Sequence, residues 1–479
     1  MSSGTPARSR RADPARLLAF DALREVHGQD AYANLVLARL LRERRLSTRD
    51  AAFATELLAG TCRLQGSYDT IIEAASGRSL ASLQPAVVDL LRLGAHQLLS
   101  MRVPDRAAVS ATVELAAVTV GRRVTGLVNA VLRKIAARSY DDWIARLSAG
   151  LDQADALALR TAHPRWIVDA YADLVPPSEL EVALLANNSQ PVTTLAVRPG
   201  LATVDDLLRS DDVSRADDVS RADDMLRSDD LHRSRALSLS KGRWSPYAAT
   251  ISGDPGRLPS VQEGRVGVQD EGSQLVTIAL ARAEAPSGPW LDLCAGPGGK
   301  SALLAGLAAE SGDRFVAGEP ALHRASLVQS ALRGYPDDGR RIVLAADGTR
   351  PAWKPGTFAR VVADVPCTGL GALRRRPESR WRRQPEAVAE LHPLQRALLE
   401  SAIRSVRPGG VVAYVTCSPH HQETAVVVDE VLADRDDLEL LDAPALLPEV
   451  PDATLGRFLQ LWPHRHHTDA MFLALLRRR

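Results

Sequence analysis

From about Val266 to the end of the chain, short apolar runs alternate with helical patterns, and this alternation constrains the fold more than any other feature. The runs cover residues 290–293, 315–317, 342–345, 361–363, 411–415 and 470–476, while 301–309, 323–333 and 385–406 read as the helices between them. Strands that alternate with helices fold as βαβ units around a mainly parallel sheet. Such a sheet builds its ligand crevice beyond the carboxyl ends of its strands. Three of the chain's four cysteines, Cys294, Cys367 and Cys417, stand at such ends.

The first part of the chain obeys a different periodicity. Leu17, Leu18, Phe20, Leu23 and Val26, and again Leu35, Val36, Leu40 and Leu41, recur at three and four, as on one face of a helix. Asp50 is the expected start of a further helix, and Pro104 interrupts the pattern before another at 107–120. An all-α bundle is expected here, followed by further helices to about residue 190 and a strand at 193–197. The predicted organisation is a disordered tail at 1–14, a helical domain at 15–140, a linker or recognition subdomain at 141–265, and an α/β Rossmann-like domain at 266–479.

Charge divides along the same lines. The formal net charge of +1 conceals 21 Lys+Arg against 14 Asp+Glu in residues 1–150, and ten Asp against five Arg in residues 205–234. The acidic stretch is five tandem hexads, each opening on Asp-Asp with Arg at its fifth place. A period of six matches neither helix nor strand, and one or two apolar residues per unit cannot build a core. The segment 205–240 is therefore expected to be a disordered insert without a catalytic role. The basic remainder is compatible with nucleic acid. Four cysteines without a CxxC pair fit a reducing cytosol and exclude a disulfide framework or zinc knuckle. The basic N-terminus lacks an apolar segment behind it, and no run is long enough to span a bilayer, so a cytoplasmic protein away from membranes is expected.

The segment Asp292-Leu-Cys-Ala-Gly-Pro-Gly-Gly-Lys300 follows one strand and opens a helix. A P-loop would need glycine at Cys294, and a dinucleotide fingerprint would need it at Ser301. What remains is the looser glycine turn of S-adenosylmethionine-dependent methyltransferases, with Cys294, Ala295, Gly296, Pro297, Gly298, Gly299 and Lys300 as its cofactor-binding residues. Glu319, about 20 residues on, ends the next strand, where it is placed for the ribose hydroxyls. Asp347 ends the third strand, within reach of an adenine amino group, and Asp364 ends the fourth.

Asp364-Val-Pro-Cys-Thr-Gly-Leu-Gly with Arg374-Arg-Arg-Pro-Glu-Ser-Arg-Trp, and then Tyr414-Val-Thr-Cys-Ser, resemble the paired cysteine motifs of RNA cytosine-C5 methyltransferases of the Sun/Nop (RsmB-like) family. Val268-Gln-Asp-Glu-Gly-Ser-Gln-Leu275 resembles the motif before their cofactor loop. Asp105-Arg-Ala-Ala-Val-Ser-Ala-Thr-Val-Glu-Leu and Gly126-Leu-Val-Asn-Ala-Val-Leu-Arg-Lys resemble the NusB-like RNA-binding bundle of the bacterial 16S ribosomal RNA member. The resemblance implies that Cys417 attacks C6 of a cytosine and that Cys367 assists the later release. It also implies S-adenosyl-L-methionine as cofactor and 16S ribosomal RNA as partner. Asp364 is then expected at the cytosine edge near N3, touching the cofactor as well.

Arg374, Arg375, Arg376 and Arg380, with Trp381, are expected to meet RNA, followed by Arg382 and Arg383. His464-Arg-His-His-Thr-Asp469 is expected to be a loop orienting the site, with no metal. There the family usually carries glycine at the places of His467 and Ala470. A monomer is expected. Transfer RNA as substrate, or a non-catalytic RNA-binding assembly factor, are the competing readings.

Overall fold

The computed structural model describes residues 12–29, 31–209 and 237–479. They fall into two compact units: one runs up to Ser189 and includes Leu373–Arg383, and the other holds Gln190–Ala372 and Gln384–Arg479. The stretch expected as a separate subdomain at 141–265 is thus divided between them. Among the described residues, no helix is long and apolar enough to cross a membrane.

The first unit is all helix. Its main helices are α1 (Pro14–Gly28), α2 (Ala33–Arg44), α3 (Thr48–Arg63), α4 (Gln65–Ser76), α5 (Pro85–Leu99), α6 (Asp105–Thr119) and α7 (Thr125–Ile135), with shorter ones continuing to Ala186. Helix α7 buries Val128, Val131, Leu132 and Ile135, the i, i+3, i+4 and i+7 positions that seat one face in a core. It lies close against α5 because Gly94 has no side chain: a Cβ there would sit 2.6 Å from Leu132. Asp89, 1% exposed in that core, is answered by Arg24 at 2.6 Å, His27 at 2.8 Å and Arg92 at 3.1 Å. Two expected boundaries move. Ser47, not Asp50, caps α3, because its hydroxyl accepts the Asp50 amide. The end of the expected tail is also ordered, since Asp13 caps α1 and Pro14 is its first residue; residues 1–11 lie outside the described residues.

The second unit holds two sheets. The smaller has strand order β2 (Ser238–Lys241), β3 (Ala248–Ser252), β1 (Thr193–Val197), β4 (Val266–Val268), all neighbours antiparallel. Only β1 was expected. Its core combines Leu195, Val197, Leu237, Ile251 and Val266 with Val204 and Leu207 of the short helix Val204–Arg209. Both ends of the expected insert at 205–240 therefore carry regular structure, and the residues between, 210–236, lie outside the described ones.

The larger sheet runs β11 (Thr454–Leu455), β12 (Phe458–Gln460), β13 (Phe472–Arg478), β9 (Val406–Thr416), β8 (Phe358–Asp364), β5 (Trp290–Asp292), β6 (Phe315–Gly318), β7 (Arg341–Leu344), with β10 (Leu438–Leu440) beside β13. Strands β7, β6, β5, β8 and β9 are parallel. Chain order reverses at β5, where a doubly wound sheet opens its crevice. Register levels the strand ends there: Asp292 lies opposite Ala317 of β6 and Val362 of β8, and Asp364 lies opposite Val415 of β9. Antiparallel β13 sets Phe472 opposite Thr416, so the segment preceding β13 arrives at the same rim.

Candidate active site

The glycine turn is shaped by close packing. A Cβ on Gly296 would lie 2.3 Å from Glu319 Oε2, and one on Gly298 would lie 2.7 Å from the Ala331 methyl. Gly298 also has φ of +104°, which L side chains avoid, and it starts the helix Gly299–Glu310. Glu319, 3% exposed, accepts from the Gly296 amide at 3.2 Å and the Ala321 amide at 3.1 Å. Arg324 donates to the Gly296 carbonyl at 2.8 Å. Asp347 is exposed and folded into its own turn, accepting the Thr349 amide and hydroxyl at 2.9 and 2.8 Å. The Thr349 amide holds its carboxyl below the usual range. A glycine-rich turn beside a buried carboxylate fits the ribose and chain of a nucleotide-like cofactor.

Asp292 lies beneath the turn. Burial pushes its carboxyl up to about 7, against the Ser301 hydroxyl that donates to it at 2.6 Å. Burial likewise pushes the Cys294 thiol well up, with the charges of Asp292 and Asp364 adding to it. Cys294 is therefore a poor nucleophile. Cys62, wholly buried in the helical unit, is raised for the same main reason.

Cys367 and Cys417 meet across the ends of β8 and β9, their sulfurs 3.4 Å apart. The residues after them, Thr368 and Ser418, face each other at 3.2 Å between hydroxyls. The Cys417 carbonyl accepts the Gly371 amide at 2.8 Å, and the Gly371 carbonyl accepts the Ala470 amide at 2.9 Å. Gly371 has no room for more, because a Cβ would lie 2.1 Å from the Ala470 oxygen. The Cys367 thiol is held well above its ordinary range, first by its hydrogen bond to Cys417 and then by burial. Burial beside a second sulfur thus favours the protonated form of Cys367.

Lys300, expected only as part of the cofactor turn, reaches Asp364 Oδ2 at 2.8 Å. Burial draws its ammonium down, yet the Asp364 charge and hydrogen bond outweigh that and leave it raised. A fixed cation and carboxylate therefore stand at the end of β8, beside the paired sulfurs. Sequence spacing gave no sign of this pairing, since 64 residues separate the partners. Glu423, behind the Cys367 loop, was also missed.

The arginine segment departs from expectation. Arg380 is wholly buried and Arg374 is 6% exposed, so neither offers its guanidinium to RNA in this arrangement. Arg380 donates to the Ala162 carbonyl at 3.0 Å, the Asn188 side chain at 2.6 Å and the Asn187 carbonyl at 3.1 Å. Trp381 donates to the Cys62 carbonyl at 2.7 Å and fills the space left by Gly66, where a Cβ would lie 2.3 Å from the indole. Arg376 is exposed with its guanidinium 4.7 Å from the centre of the Tyr32 ring, and Arg375 is half-buried. Arg382 donates to the carbonyls of Val26 and Ala31. Leu373–Arg383 is a packed strut of the helical unit.

The histidine-rich loop contains a short helix, Pro463–His466. His466 accepts the Trp462 amide at 2.8 Å, so its other nitrogen donates to the Pro451 carbonyl at 2.9 Å. Its ring is spent on the backbone and, being buried, held neutral. His467 has φ of +61°, a left-handed conformation that glycine adopts without strain. Among the described residues, no group of three or more His, Cys, Asp or Glu is arranged to hold a metal ion.

Known proteins share sequence with both units. Residues 277–477 match the family described as 16S rRNA methyltransferase RsmB/F, and residues 13–137 match the NusB family. The chain is 48% identical over 98% of both lengths to the putative methyltransferase Rv1407 of Mycobacterium tuberculosis. It is 31% identical to ribosomal RNA small subunit methyltransferase B of Pseudomonas putida, covering 87% of this chain and 88% of that one. The crystal structure of PH0851 superposes with a TM-score of 0.76 at 20% identity, over 98% of this chain and 100% of that one.

Proposed function

The chain belongs to the RsmB/F family of S-adenosyl-L-methionine-dependent methyltransferases and carries a NusB-family domain, and from that premise we propose that it methylates C5 of a cytosine in 16S ribosomal RNA. The observation that carries the reading is the 3.4 Å approach of two cysteine sulfurs beside the glycine turn. C5 of cytosine is a poor nucleophile until something adds at C6, and a thiolate both adds and leaves readily. Cys417 Sγ forms the bond to C6, and the displaced electron density moves through C5 toward N3. Asp364, held by Lys300, lies at the N3 edge and favours protonation there. Glu319, Asp347 and the turn 294–300 would hold S-adenosyl-L-methionine, which when bound would supply an electrophilic methyl group to C5. The C5 proton then leaves to water, the C5–C6 double bond re-forms as the S–C6 electron pair returns to Cys417, and the N3 proton is given up to solvent past Asp364. Cys367, against that sulfur, assists this release. A base stacked in a helix cannot reach two thiols at the bottom of a crevice, so the target is single-stranded or flipped out.

The name of the Pseudomonas relative and the NusB-family domain both support a small-subunit ribosomal RNA substrate. Bisulfite sequencing of RNA from a strain lacking the protein is expected to show one small-subunit cytosine losing its protection. Restoring the wild-type chain should recover it, and restoring Cys417→Ala should not. A lost signal in transfer RNA would replace the substrate, and no change at any cytosine would replace the enzymatic reading with that of an assembly factor.

A further inference from the structure

Glu423 is wholly buried behind the loop that presents Cys367. Its Oε1 accepts the Thr368 amide at 2.7 Å and the Gln395 side-chain amide at 3.1 Å, and its Oε2 accepts the Thr368 hydroxyl at 2.5 Å. Gln395 uses the same nitrogen to reach the Pro366 carbonyl at 2.9 Å. The residue after Cys367 is therefore tied to the carboxylate directly, and the residue before it through Gln395. Thr368 in turn meets Ser418, which follows Cys417. The segment bearing Glu423 is itself pinned to β9, because the Tyr414 hydroxyl donates to the Glu423 carbonyl at 2.7 Å. A buried carboxylate is costly to place and is kept only where its partners satisfy it. Here three donors do so, and two of them belong to the residue joined to Cys367.

We propose that Glu423 is a positioning residue that fixes Cys367 against Cys417, and that it serves release of the covalent RNA adduct more than its formation. The inference rests on the proposed division of labour between the two thiols. Attack requires Cys417, whose own carbonyl accepts the Gly371 amide, whereas the Glu423 carboxylate bonds directly to Thr368, the neighbour of Cys367. Release requires the sulfur of Cys367 to stay beside that of Cys417, and the fixed Pro366–Thr368 backbone is what keeps it there. Loosening the clamp therefore slows the second half of the reaction and leaves protein joined to RNA.

The test compares Cys367→Ala, Glu423→Ala, Glu423→Gln and Thr368→Val. Each full-length protein is incubated with S-adenosyl-L-methionine and deproteinised small-subunit ribosomal RNA, and adduct is read as a denaturation-resistant, ribonuclease-sensitive band. Cys367→Ala is expected to accumulate adduct. Glu423→Ala should do likewise, with release slowed about tenfold or more, the size expected from losing a hydrogen bond to a charged group. Glu423→Gln keeps an oxygen for the Thr368 amide and should restore most of the release rate. Thr368→Val, which removes the hydroxyl alone, should trap adduct to a smaller extent, and it decides the matter if Glu423→Ala does not fold. A purely structural role would lower attack and release together and leave no adduct. If Cys367→Ala traps adduct while neither Glu423→Ala nor Thr368→Val does, the positioning role is overturned and the thiol assignment stands. If Cys367→Ala traps none, that assignment falls and the positioning role falls with it.

Discussion

Cys294 and Cys417 each follow a strand of the same sheet, yet their surroundings give them different chemistry. Cys294 is half-buried, and desolvation with the charges of Asp292 and Asp364 pushes its thiol well up and keeps it protonated. Cys417 faces Cys367 at 3.4 Å, with the Lys300–Asp364 pair close by. Asp292 offers a test of this environment that needs no substrate. Its folded-state value of about 7 lies above the ordinary 3.8. The folded protein therefore holds the proton more tightly than the unfolded chain. The associated stability is complete below the unfolded value and is lost as pH rises from about 4 to about 7. A side-chain amide cannot ionise, so Asp292→Asn should lose less melting temperature than the wild type between pH 5 and pH 8. Thermal melts at the two values check this, and an unchanged difference would mean that Asp292 is not held protonated. The three carboxylates at successive strand ends were readable from sequence because each closes an apolar run. The Lys300 partner was not, because a contact over 64 residues leaves no local pattern.

At the level of elements, the strongly periodic segments were legible and the short ones were not. Helices α1, α2 and α6 and strands β5, β6, β8 and β9 stand close to where apolar spacing put them, since each buries a face or run. Strands β11 and β12, of two and three residues, exist only because β13 supplies the ladder for β12, and β12 supplies that for β11. The segment Leu373–Arg383 shows the opposite error. Its arginines read as a solvated, RNA-facing cluster because burial of Arg380 depends on carbonyls from Ala162 and Asn187, far away in sequence. That burial draws its guanidinium down to about 9. The rigid fork fills three acceptors at once, and a lysine ammonium cannot match that geometry. Arg380→Lys is therefore expected to destabilise the protein by about 2 kcal/mol in denaturant titration, through acceptors left unmet. An RNA-contact role predicts the reverse pattern, with unchanged stability and a raised KM for RNA.

On the scale of the whole molecule, the hexad segment straddles the edge of the described residues, with its first repeat described as far as Arg209 and residues 210–236 lying outside. Each repeat carries too little apolar surface to bury, and its Asp-Asp pairs favour solvent. Its borders, however, are drawn by the small sheet and not by the repeat. The first hexad begins at Asp205, yet Val204 and Leu207 of the helix Val204–Arg209 are buried against Leu195, Leu237 and Ile251. Asp205 also meets Lys241 of β2 at 2.7 Å. Two deletions should therefore behave differently. Removing 211–234 spares Leu207 and should leave both melting temperature and methyl transfer close to wild type. Removing 205–234 takes a buried leucine out of that core, a loss of about 2–5 kcal/mol at comparable sites, and should lower the melting temperature clearly. Because β4 of the same sheet leads directly into the helix Glu271–Arg282, which packs beside the glycine-turn helix, the longer deletion should also weaken S-adenosyl-L-methionine binding. Calorimetric melts and cofactor titrations on the two deletions decide it. Equal melting temperatures would show that the helix Val204–Arg209 adds nothing to the sheet, and loss of methyl transfer in the shorter deletion would show that the repeats take part in the reaction.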